Sequence, residues 1–159
     1  MTHKSVLLDT SFFLRFLNEA DPLFKNADGY YRFFIEKEIP LLISTISVAE
    51  YCVGGTIDEL PLKDLQIVPF NLSHAKRCGE LARTVFDNRK TLKLQQRNLI
   101  PNDTKLFSQA DVETGIGYYL SSDTESKKIY DLLTKRLNLK FQFIDLHNKY
   151  SEVFGVLDF

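Results

Sequence analysis

The sequence contains no tryptophan and two cysteines, Cys52 and Cys78, which show no CxxC or metal-ligand spacing. A disulfide framework is therefore not expected, and the thiols fit a reducing cytoplasm. Cys52 lies in an apolar helical pattern, so it is expected to be buried. Histidine is also sparse: His3, His74 and His147 are far apart and are interpreted as surface or packing residues.

An excess of charge of one sign is also missing, because 20 basic residues face 21 acidic ones. A nucleic-acid-binding domain is usually strongly basic overall, although a local acidic site can offset a basic rim. No apolar stretch approaches the roughly 20 residues of a membrane span, and the N-terminus lacks a signal-peptide pattern. We therefore expect a soluble, cytoplasmic protein with no membrane segment.

Motifs of several enzyme classes are absent as well. The sequence has no GxxxxGK[ST] phosphate-binding loop and no GxSxG nucleophile elbow. Internal repeats and low-complexity linkers are missing too. With 159 residues, of which 44% are hydrophobic, the chain is expected to form a single domain over 1–159 with a sizeable core.

Short apolar runs alternate with helical patterns along the chain. This alternation predicts an α/β fold, a three-layer α/β/α sandwich with a mostly parallel central sheet. Pro69 puts the third strand at an edge. Thr10 or Ser11, Ser73 and Asn102 are the expected caps of three helices. The predicted strands cover 6–8, 41–43, 66–70, 118–120 and 141–144, and the predicted helices cover 11–18, 27–38, 46–53, 74–87, 102–114 and 124–138.

Acidic side chains fall where predicted strands end. Asp9 directly follows the first strand, and Asp123 follows the fourth by a residue or two. Asp103 lies in the first turn of a helix, where free N–H groups and the helix dipole favour an anion. Because sites in open parallel sheets form at the carboxyl ends of the strands, these acids are expected at one edge of the sheet.

Glu50 stands in the segment ISVAEYCV, which is apolar on nearly every side and therefore predicts a helix buried almost all round. A lone carboxylate in such a helix is costly unless something pairs with it. No lysine or arginine occurs between Lys37 and Lys63, so no local salt bridge is available. A metal ion is the economical explanation.

Each acid also has an ordinary structural explanation. Asp9 and Asp123 could cap helices or stabilise turns. Asp103 could complement the dipole of its helix, and Glu50 could be a surface carboxylate. The functional interpretation depends on all four acids occurring together at strand ends.

Three segments, LLDTSFFL, STISVAEYCVGG and NDTKLFSQADVETGIGYYLSSD, together resemble the PIN domain family of metal-dependent ribonucleases. That family has an Asp after its first strand and a Glu on the helix after its second strand. A third acid begins a later helix, and a fourth follows the next strand, often as Thr-x-Asp. Four residues match in that order: Asp9, Glu50, Asp103 and Asp123.

The resemblance extends over 6–144 with two departures. The segment 88–100 looks longer than the minimal family plan. Asp111 and Asp145 are spare acids, so the assignment of the third and fourth ligands stays open.

The resemblance implies a Mg²⁺- or Mn²⁺-dependent endoribonuclease that hydrolyses RNA phosphodiester bonds. Asp9 and Asp123 would ligate one or two ions directly. Glu50 and Asp103 would bind directly or through water and orient the nucleophile. The chain length is near that of the toxins of bacterial toxin–antitoxin pairs, which implies an antitoxin partner. The alternative is a catalytically inactive PIN-like module that binds RNA or protein.

Two further surfaces are suggested by composition. The N-terminal helices carry more aromatic side chains than one helical face can bury, so some are expected to form a homodimer or antitoxin-binding surface, unless the core is simply thick. Basic residues in two segments could contact an RNA backbone, or could simply be solvated faces. The aromatic residues are Phe12, Phe13, Phe16, Phe24, Tyr30, Tyr31, Phe33 and Phe34, and the basic ones are Arg83, Arg89, Lys90, Lys93 and Arg97, followed by Lys127, Lys128, Lys135 and Arg136.

Overall fold

A computed structural model describes residues 4–88 and 100–156. Its centre is one five-stranded sheet in which every pair of neighbouring strands is parallel, in the order β3-β2-β1-β4-β5. The strands are β1 (Ser5–Leu8), β2 (Leu41–Ser44), β3 (Leu65–Val68), β4 (Ile116–Ser121) and β5 (Gln142–Asp145). The helices are α1 (Thr10–Phe16), α2 (Phe24–Glu36), α3 (Thr45–Tyr51), α4 (Leu72–Asp87), α5 (Ile100–Val112), α6 (Thr124–Arg136) and α7 (Tyr150–Phe154), and two 3₁₀ turns cover Ile57–Glu59 and Leu62–Asp64.

Helices cover both faces of this sheet. Along β1, Val6 and Leu8 belong to the core shared with α1 and α2, whereas Leu7 belongs to the core shared with α4, α5 and α6. Because both faces are covered, the central strands β1 and β2 contain continuous apolar runs rather than an alternating pattern. The predicted three-layer α/β/α sandwich is confirmed. Of the helices in the described ranges, none is long and apolar enough to cross a membrane.

Three predicted helix starts differ from the structure, and in two of them a neighbouring residue provides the cap. Asp9, rather than Thr10 or Ser11, is the N-cap of α1. Asn71, rather than Ser73, caps α4, which begins at Leu72. Helix α5 begins at Ile100, so Asn102 lies inside the helix and does not cap it.

The expectation that α3 is buried almost all round was wrong. Within α3 only Ser47 and Tyr51 are buried, and Ala49 is exposed. Just beyond it, Cys52 is an exposed free thiol and Val53 is 89% exposed. The helix is only seven residues long and packs one face against its neighbours, so apolar residues on the other face meet solvent.

All but one of the aromatic residues of the N-terminal helices lie in the core or pack against it, and the exception, Phe24, is half-buried. Phe12, Phe13, Tyr30 and Phe34 are fully buried. Phe16 stacks on Tyr31 with ring centroids 4.5 Å apart, and both pack against the same core. The thick core explains this surplus of aromatics, and it gives no support to an aromatic interface.

Candidate active site

The chain topology brings the four predicted acids to the carboxyl edge of the sheet. Strands β1, β2 and β4 are neighbours and parallel, so the residues that follow them share one edge. The backbone N–H of Asp9 donates to the carbonyl of Leu120, which ties the ends of β1 and β4 together. Each carboxylate is close enough to others for its charge to act on their pKa values, as the next paragraphs describe.

Asp9 is the most enclosed of the four acids, with 5% of its surface exposed. Its Oδ1 accepts hydrogen bonds from the backbone N–H and the hydroxyl of Ser11, the latter at 2.6 Å. Its Oδ2 accepts from the hydroxyls of Ser121, at 2.6 Å, and Tyr119, at 3.3 Å. Burial raises the pKa of Asp9, the hydrogen bonds from the two serines oppose that rise, and the charge of Asp123 adds to it.

Asp103 lies in the first turn of α5 and is also buried. The Ser126 hydroxyl, at the start of α6, donates to its Oδ1 at 2.6 Å. Its Oδ2 is buried and has no hydrogen-bond partner in the described part of the chain. Burial raises the pKa of Asp103 to about 7, and the charges of Asp123, Asp9 and Glu50 contribute to this rise. The carboxyl group is thus held close to its titration point at neutral pH.

Glu50 reaches the site from α3 and is half-buried. Its Oε1 is buried without a hydrogen-bond partner among the described residues. Burial and then the charge of Asp9 raise the pKa of Glu50, whereas the Thr10 hydroxyl and, to a smaller extent, the positive charge of Lys105 lower it. The absence of nearby cations in the sequence was therefore misleading, because α5 brings a lysine from a distant segment.

Asp123 caps α6 and lies at the rim of the site. Its Oδ1 accepts from the backbone N–H groups of Glu125 and Ser126, at 2.8 and 3.3 Å. Its own N–H donates to the Ser121 hydroxyl at 3.0 Å. Its Oδ2 has no hydrogen-bond partner within residues 4–88 and 100–156. One oxygen of Asp123 therefore caps the helix, and the other takes no part in the cap.

The two spare acids are engaged elsewhere. Asp111 accepts from the Arg77 side chain and from the backbone N–H of Lys140, both at 2.8 Å, so each of its oxygens has a partner. Asp145 accepts from the backbone N–H and the ring of His147. Neither charge is among the main causes that raise the pKa values of Asp9, Glu50 and Asp103.

Sequence reasoning missed the hydroxyl groups that orient these acids. Ser11 and Ser121 hold Asp9, Ser126 holds Asp103, and the Ser11 hydroxyl also accepts from the backbone N–H of Ser122 at 2.9 Å. The signal was present in the strings DTS and SSD, where small hydroxyl residues flank an acid at a strand end. Thr10 and Ser11 of the first string were interpreted as caps, although Asp9 itself caps α1.

The two basic segments do not form a free cationic surface in the described residues. Lys127 pairs with Asp131, and Lys128 pairs with Glu125. Lys135 and Arg136 are exposed in the last turn of α6, at the end of the helix away from the acids. Arg83 is exposed on α4, and the remaining members, Arg89, Lys90, Lys93 and Arg97, lie outside the described residues.

The chemistry of the four acidic side chains suits a hard divalent cation. All four groups are carboxylates that repel one another, and two of them have a buried oxygen without a hydrogen-bond partner among the described residues. Mg²⁺ and Mn²⁺ prefer such oxygen ligands. In the described ranges, however, no three His, Cys, Asp or Glu side chains are arranged so that they could hold a metal ion.

No family model and no curated protein matches this chain. Three solved structures have a chain that is similar to it in fold. VapBC2 from Rickettsia felis bound to a promoter DNA fragment is 22% identical, with a TM-score of 0.58, and covers 88% of this chain and 98% of that one. DNA-bound VapBC from Salmonella typhimurium is 14% identical, with a TM-score of 0.57, over 90% and 98% of the two chains. VapBC-1 from nontypeable Haemophilus influenzae is 16% identical, with a TM-score of 0.59, also over 90% and 98%. The chain therefore has the PIN-like α/β/α fold that these VapBC structures contain.

Proposed function

We propose that the protein is a metal-dependent endoribonuclease that hydrolyses RNA phosphodiester bonds. The observation that carries this proposal is the cluster of four carboxylates. Four separate segments deliver Asp9, Glu50, Asp103 and Asp123 to one edge of the sheet, where their charges act on one another. Burying mutually repelling acids is costly, so their convergence favours a function that needs them.

Mg²⁺ or Mn²⁺ is the cofactor we propose. Asp9 and Asp123 would be direct ligands, and Glu50 and Asp103 would bind directly or through water. When bound, such an ion lowers the pKa of a water molecule and stabilises negative charge on the phosphate that is attacked. Because no three acids surround a metal position in the part of the chain that the structure describes, we expect binding to include a rearrangement of side chains.

The serine hydroxyls prepare Asp9 for this role. Hydrogen bonds from Ser11 and Ser121 favour the charged form of Asp9 against the effect of burial. They also fix the direction in which its two oxygens point. The site thus keeps a buried carboxylate oriented, and Asp9 is one of the two acids that the resemblance makes direct ligands.

We also propose that the protein is the toxin of a toxin–antitoxin pair, with an antitoxin as its protein partner. This rests on the likeness to chains of VapBC complexes, of which at least 98% is covered. Exposed apolar side chains on and near α1 and α3 suit a partner surface. They are Leu14, Leu17 and Val53.

A catalytically inactive PIN-like module that binds RNA or protein is the second candidate. The observation that favours it is that no three described acids are arranged to hold a metal ion. Such a module would keep the fold and the helix-capping roles of Asp9 and Asp123 without chemistry at the phosphate.

RNA cleavage separates the two candidates. A panel of labelled single-stranded and hairpin RNAs is incubated with Mg²⁺, Mn²⁺ or EDTA and with wild type, Asp9→Asn or Asp131→Asn. Asp131 is a surface acid of α6 paired with Lys127, so its variant controls for the same chemical change outside the site. We expect cleavage by wild type and Asp131→Asn with metal, and none by Asp9→Asn. RNA binding without cleavage across the panel would favour the inactive module.

A further inference from the structure

The turn that follows β5 carries a histidine at the same edge of the sheet as the acid cluster. Strand β5 pairs in parallel with β4, and its last residue, Asp145, lies opposite Ser121. The backbone N–H of Leu146 donates to the carbonyl of Ser121 at 2.9 Å. The Ser121 hydroxyl in turn donates to Asp9 Oδ2 at 2.6 Å. Two hydrogen bonds through one residue therefore connect this turn to the most enclosed acid of the site.

His147 is oriented within the turn by a carboxylate. Asp145 Oδ1 accepts from the backbone N–H of His147 at 3.0 Å and from its ring Nδ1 at 2.6 Å. A carboxylate only accepts, so Nδ1 carries the hydrogen of this bond. The other ring nitrogen, Nε2, has no hydrogen-bond partner in the described ranges, and 45% of the side-chain surface is exposed. The imidazole is thus held through one nitrogen, whereas the other is not used by any described residue.

Helix α2 fixes the backbone of the same turn. The side-chain amide of Asn26 donates to the carbonyls of Leu146 and His147, at 3.0 and 3.1 Å. The Tyr30 hydroxyl donates to the carbonyl of Asn148 at 2.6 Å. Three consecutive carbonyls are therefore bound to one helix, which keeps the turn in place before a ligand arrives. Such preorganisation lowers the entropic cost of binding.

Stabilisation of the turn alone does not explain a histidine at this position. Asn26 and Tyr30 bind main-chain carbonyls, and Asp145 also accepts a main-chain N–H, so these contacts would persist with another residue at 147. The ring contact does depend on the histidine, but it lies at the surface, where ion pairs contribute little stability. An oriented ring with an unused nitrogen favours a binding role.

The backbone of a bound RNA is a suitable ligand for this ring. A protonated histidine donates from Nε2 with a positive charge, and a phosphate oxygen accepts such a bond. Neighbouring strands lie about 4.8 Å apart, so β5 lies about 10 Å from β1, which ends next to Asp9. An RNA strand that extends from the acid cluster along the strand ends passes this turn within a few nucleotides. Lys149, exposed two residues further on, adds a positive charge.

We infer that His147 binds a backbone phosphate of an RNA whose scissile phosphate lies at the acid cluster. This inference rests on the ribonuclease function proposed above, and it adds a substrate-binding residue from β5, a strand that supplies none of the four acids. The contact is independent of base identity, so it contributes affinity and position rather than sequence choice.

The test measures RNA binding and cleavage in parallel at about pH 6, where histidine side chains are commonly charged. Fluorescence anisotropy of a short labelled single-stranded RNA follows binding in Mg²⁺ at several salt concentrations, in the Asp9→Asn background, which is expected not to cleave. KM and kcat for cleavage are measured for the same substitutions in wild type, and urea unfolding checks the stability of each variant.

Three substitutions are compared. His147→Asn keeps a donor near the position of Nδ1 for Asp145 and removes the group at Nε2. His147→Arg keeps a positive charge. Lys37→Gln is the control for the loss of a cation, because Lys37 is exposed at the end of α2, just before β2 begins, at the opposite edge of the sheet.

We expect His147→Asn to weaken RNA binding about tenfold at low salt, as the loss of one charge-assisted contact would. The slope of log K against log salt should become shallower by about 0.7, the value for one phosphate on a single strand. KM should rise with little change in kcat, because the contact is made away from the reacting phosphate. His147→Arg should retain most of the binding, and Lys37→Gln should match its parent.

The possible failures are distinguishable. If wild type cleaves RNA but His147→Asn keeps the parental affinity, salt slope and KM, the inference is wrong and the nuclease proposal stands. A loss of binding that accompanies a loss of stability, and that His147→Arg does not restore, would make His147 a structural residue. If wild type binds RNA without cleaving it and His147→Asn weakens that binding, the phosphate contact stands and the nuclease proposal fails. If wild type neither binds nor cleaves RNA, both fail.

Discussion

At the scale of single residues, the structural and functional explanations of the acids coexist because a carboxylate has two oxygens. Asp123 uses Oδ1 to cap α6, and Asp103 accepts a hydrogen bond from a serine hydroxyl on Oδ1. Among the described residues, Oδ2 of each acid has no hydrogen-bond partner. A cap position in the sequence therefore does not argue against a role in a site.

The positions of these acids could be predicted from the sequence. The serine hydroxyls that donate hydrogen bonds to them could not, because serines next to an acid are also common helix caps.

The first residue-scale prediction concerns the pH dependence of stability through Asp103. Its pKa rises from 3.8 to about 7 on folding, so the folded chain binds a proton that the unfolded chain has released. In EDTA, this group makes the free energy of unfolding fall as pH increases from about 4 to about 7, after which its effect is constant. Asp103→Asn should remove that decline and be more stable than wild type at pH 8, by a few kcal/mol at most.

Urea unfolding in EDTA at a series of pH values measures this effect, with Asp131→Asn as the control. The difference between wild type and Asp103→Asn should widen as the pH is raised towards 7. A constant difference over the whole range would show that Asp103 titrates at the same pH in both states.

The second residue-scale prediction concerns the hydroxyl that holds Asp9. Ser121→Ala removes a buried donor to Asp9 Oδ2 and an acceptor for the N–H of Asp123. Unsatisfied buried groups cost about 1–3 kcal/mol, so the variant should unfold at lower urea and cleave RNA more slowly. Ser122→Ala is the matched control, because Ser122 contributes its backbone N–H to this network. Equal loss of stability in both variants would contradict the orienting role of the Ser121 hydroxyl.

At the scale of elements, the sequence pattern indicates which segments form strands more reliably than where helices begin. Val6, Leu7 and Leu8 form a continuous apolar run because the parallel sheet is covered on both faces. Helix starts shift because several cap-forming residues stand next to one another, as around Asn71 and Ser73, and only the tertiary contacts select among them. The exposure of α3 could not be predicted, since an apolar composition does not show how many sides of a helix pack against other elements.

Helix α4 provides the prediction at this scale. Asn71 accepts from the backbone N–H of His74 at 3.1 Å, and its own N–H donates to His74 Nδ1 at 3.0 Å. That bond leaves the ring proton on Nε2, which donates to Glu113 at 2.7 Å. Asn71→Ala should therefore lower the free energy of unfolding by about 1 kcal/mol. Ser73→Ala, at the position favoured by the sequence pattern, should cost much less. Urea unfolding of both variants decides between the two caps.

At the scale of the whole molecule, the alternation of strands and helices predicted the fold class, but the sequence did not reveal how copies of the chain associate. The aromatic side chains that suggested an interface fill the core between α1, α2 and the sheet. Counting apolar residues cannot separate a thick core from an interface, because both bury the same kind of side chain. We propose that residues 1–159 form one domain and that it forms a homodimer.

Light scattering of the purified protein tests the homodimer. A chain of 18.4 kDa should give a species of twice that mass at micromolar concentration, and a double substitution of exposed apolar residues, Leu14→Ser with Leu17→Ser, tests whether α1 contributes to the contact. A single species of 18.4 kDa for wild type would contradict the dimer.

The central claim is that the four carboxylates form one divalent-metal site, and thermal melting with and without Mn²⁺ tests it most directly. A ligand that binds only the folded state at a concentration of 100 times its Kd adds about 2.7 kcal/mol, which is about 5–10 °C in Tm for a chain of this size. Wild type should gain that much over EDTA. Asp9→Asn, which keeps the α1 cap and removes one repelling charge, should melt no lower than wild type in EDTA and gain little from Mn²⁺. A wild type indifferent to Mn²⁺, or an Asp9→Asn variant that gains as much as wild type, would contradict the account.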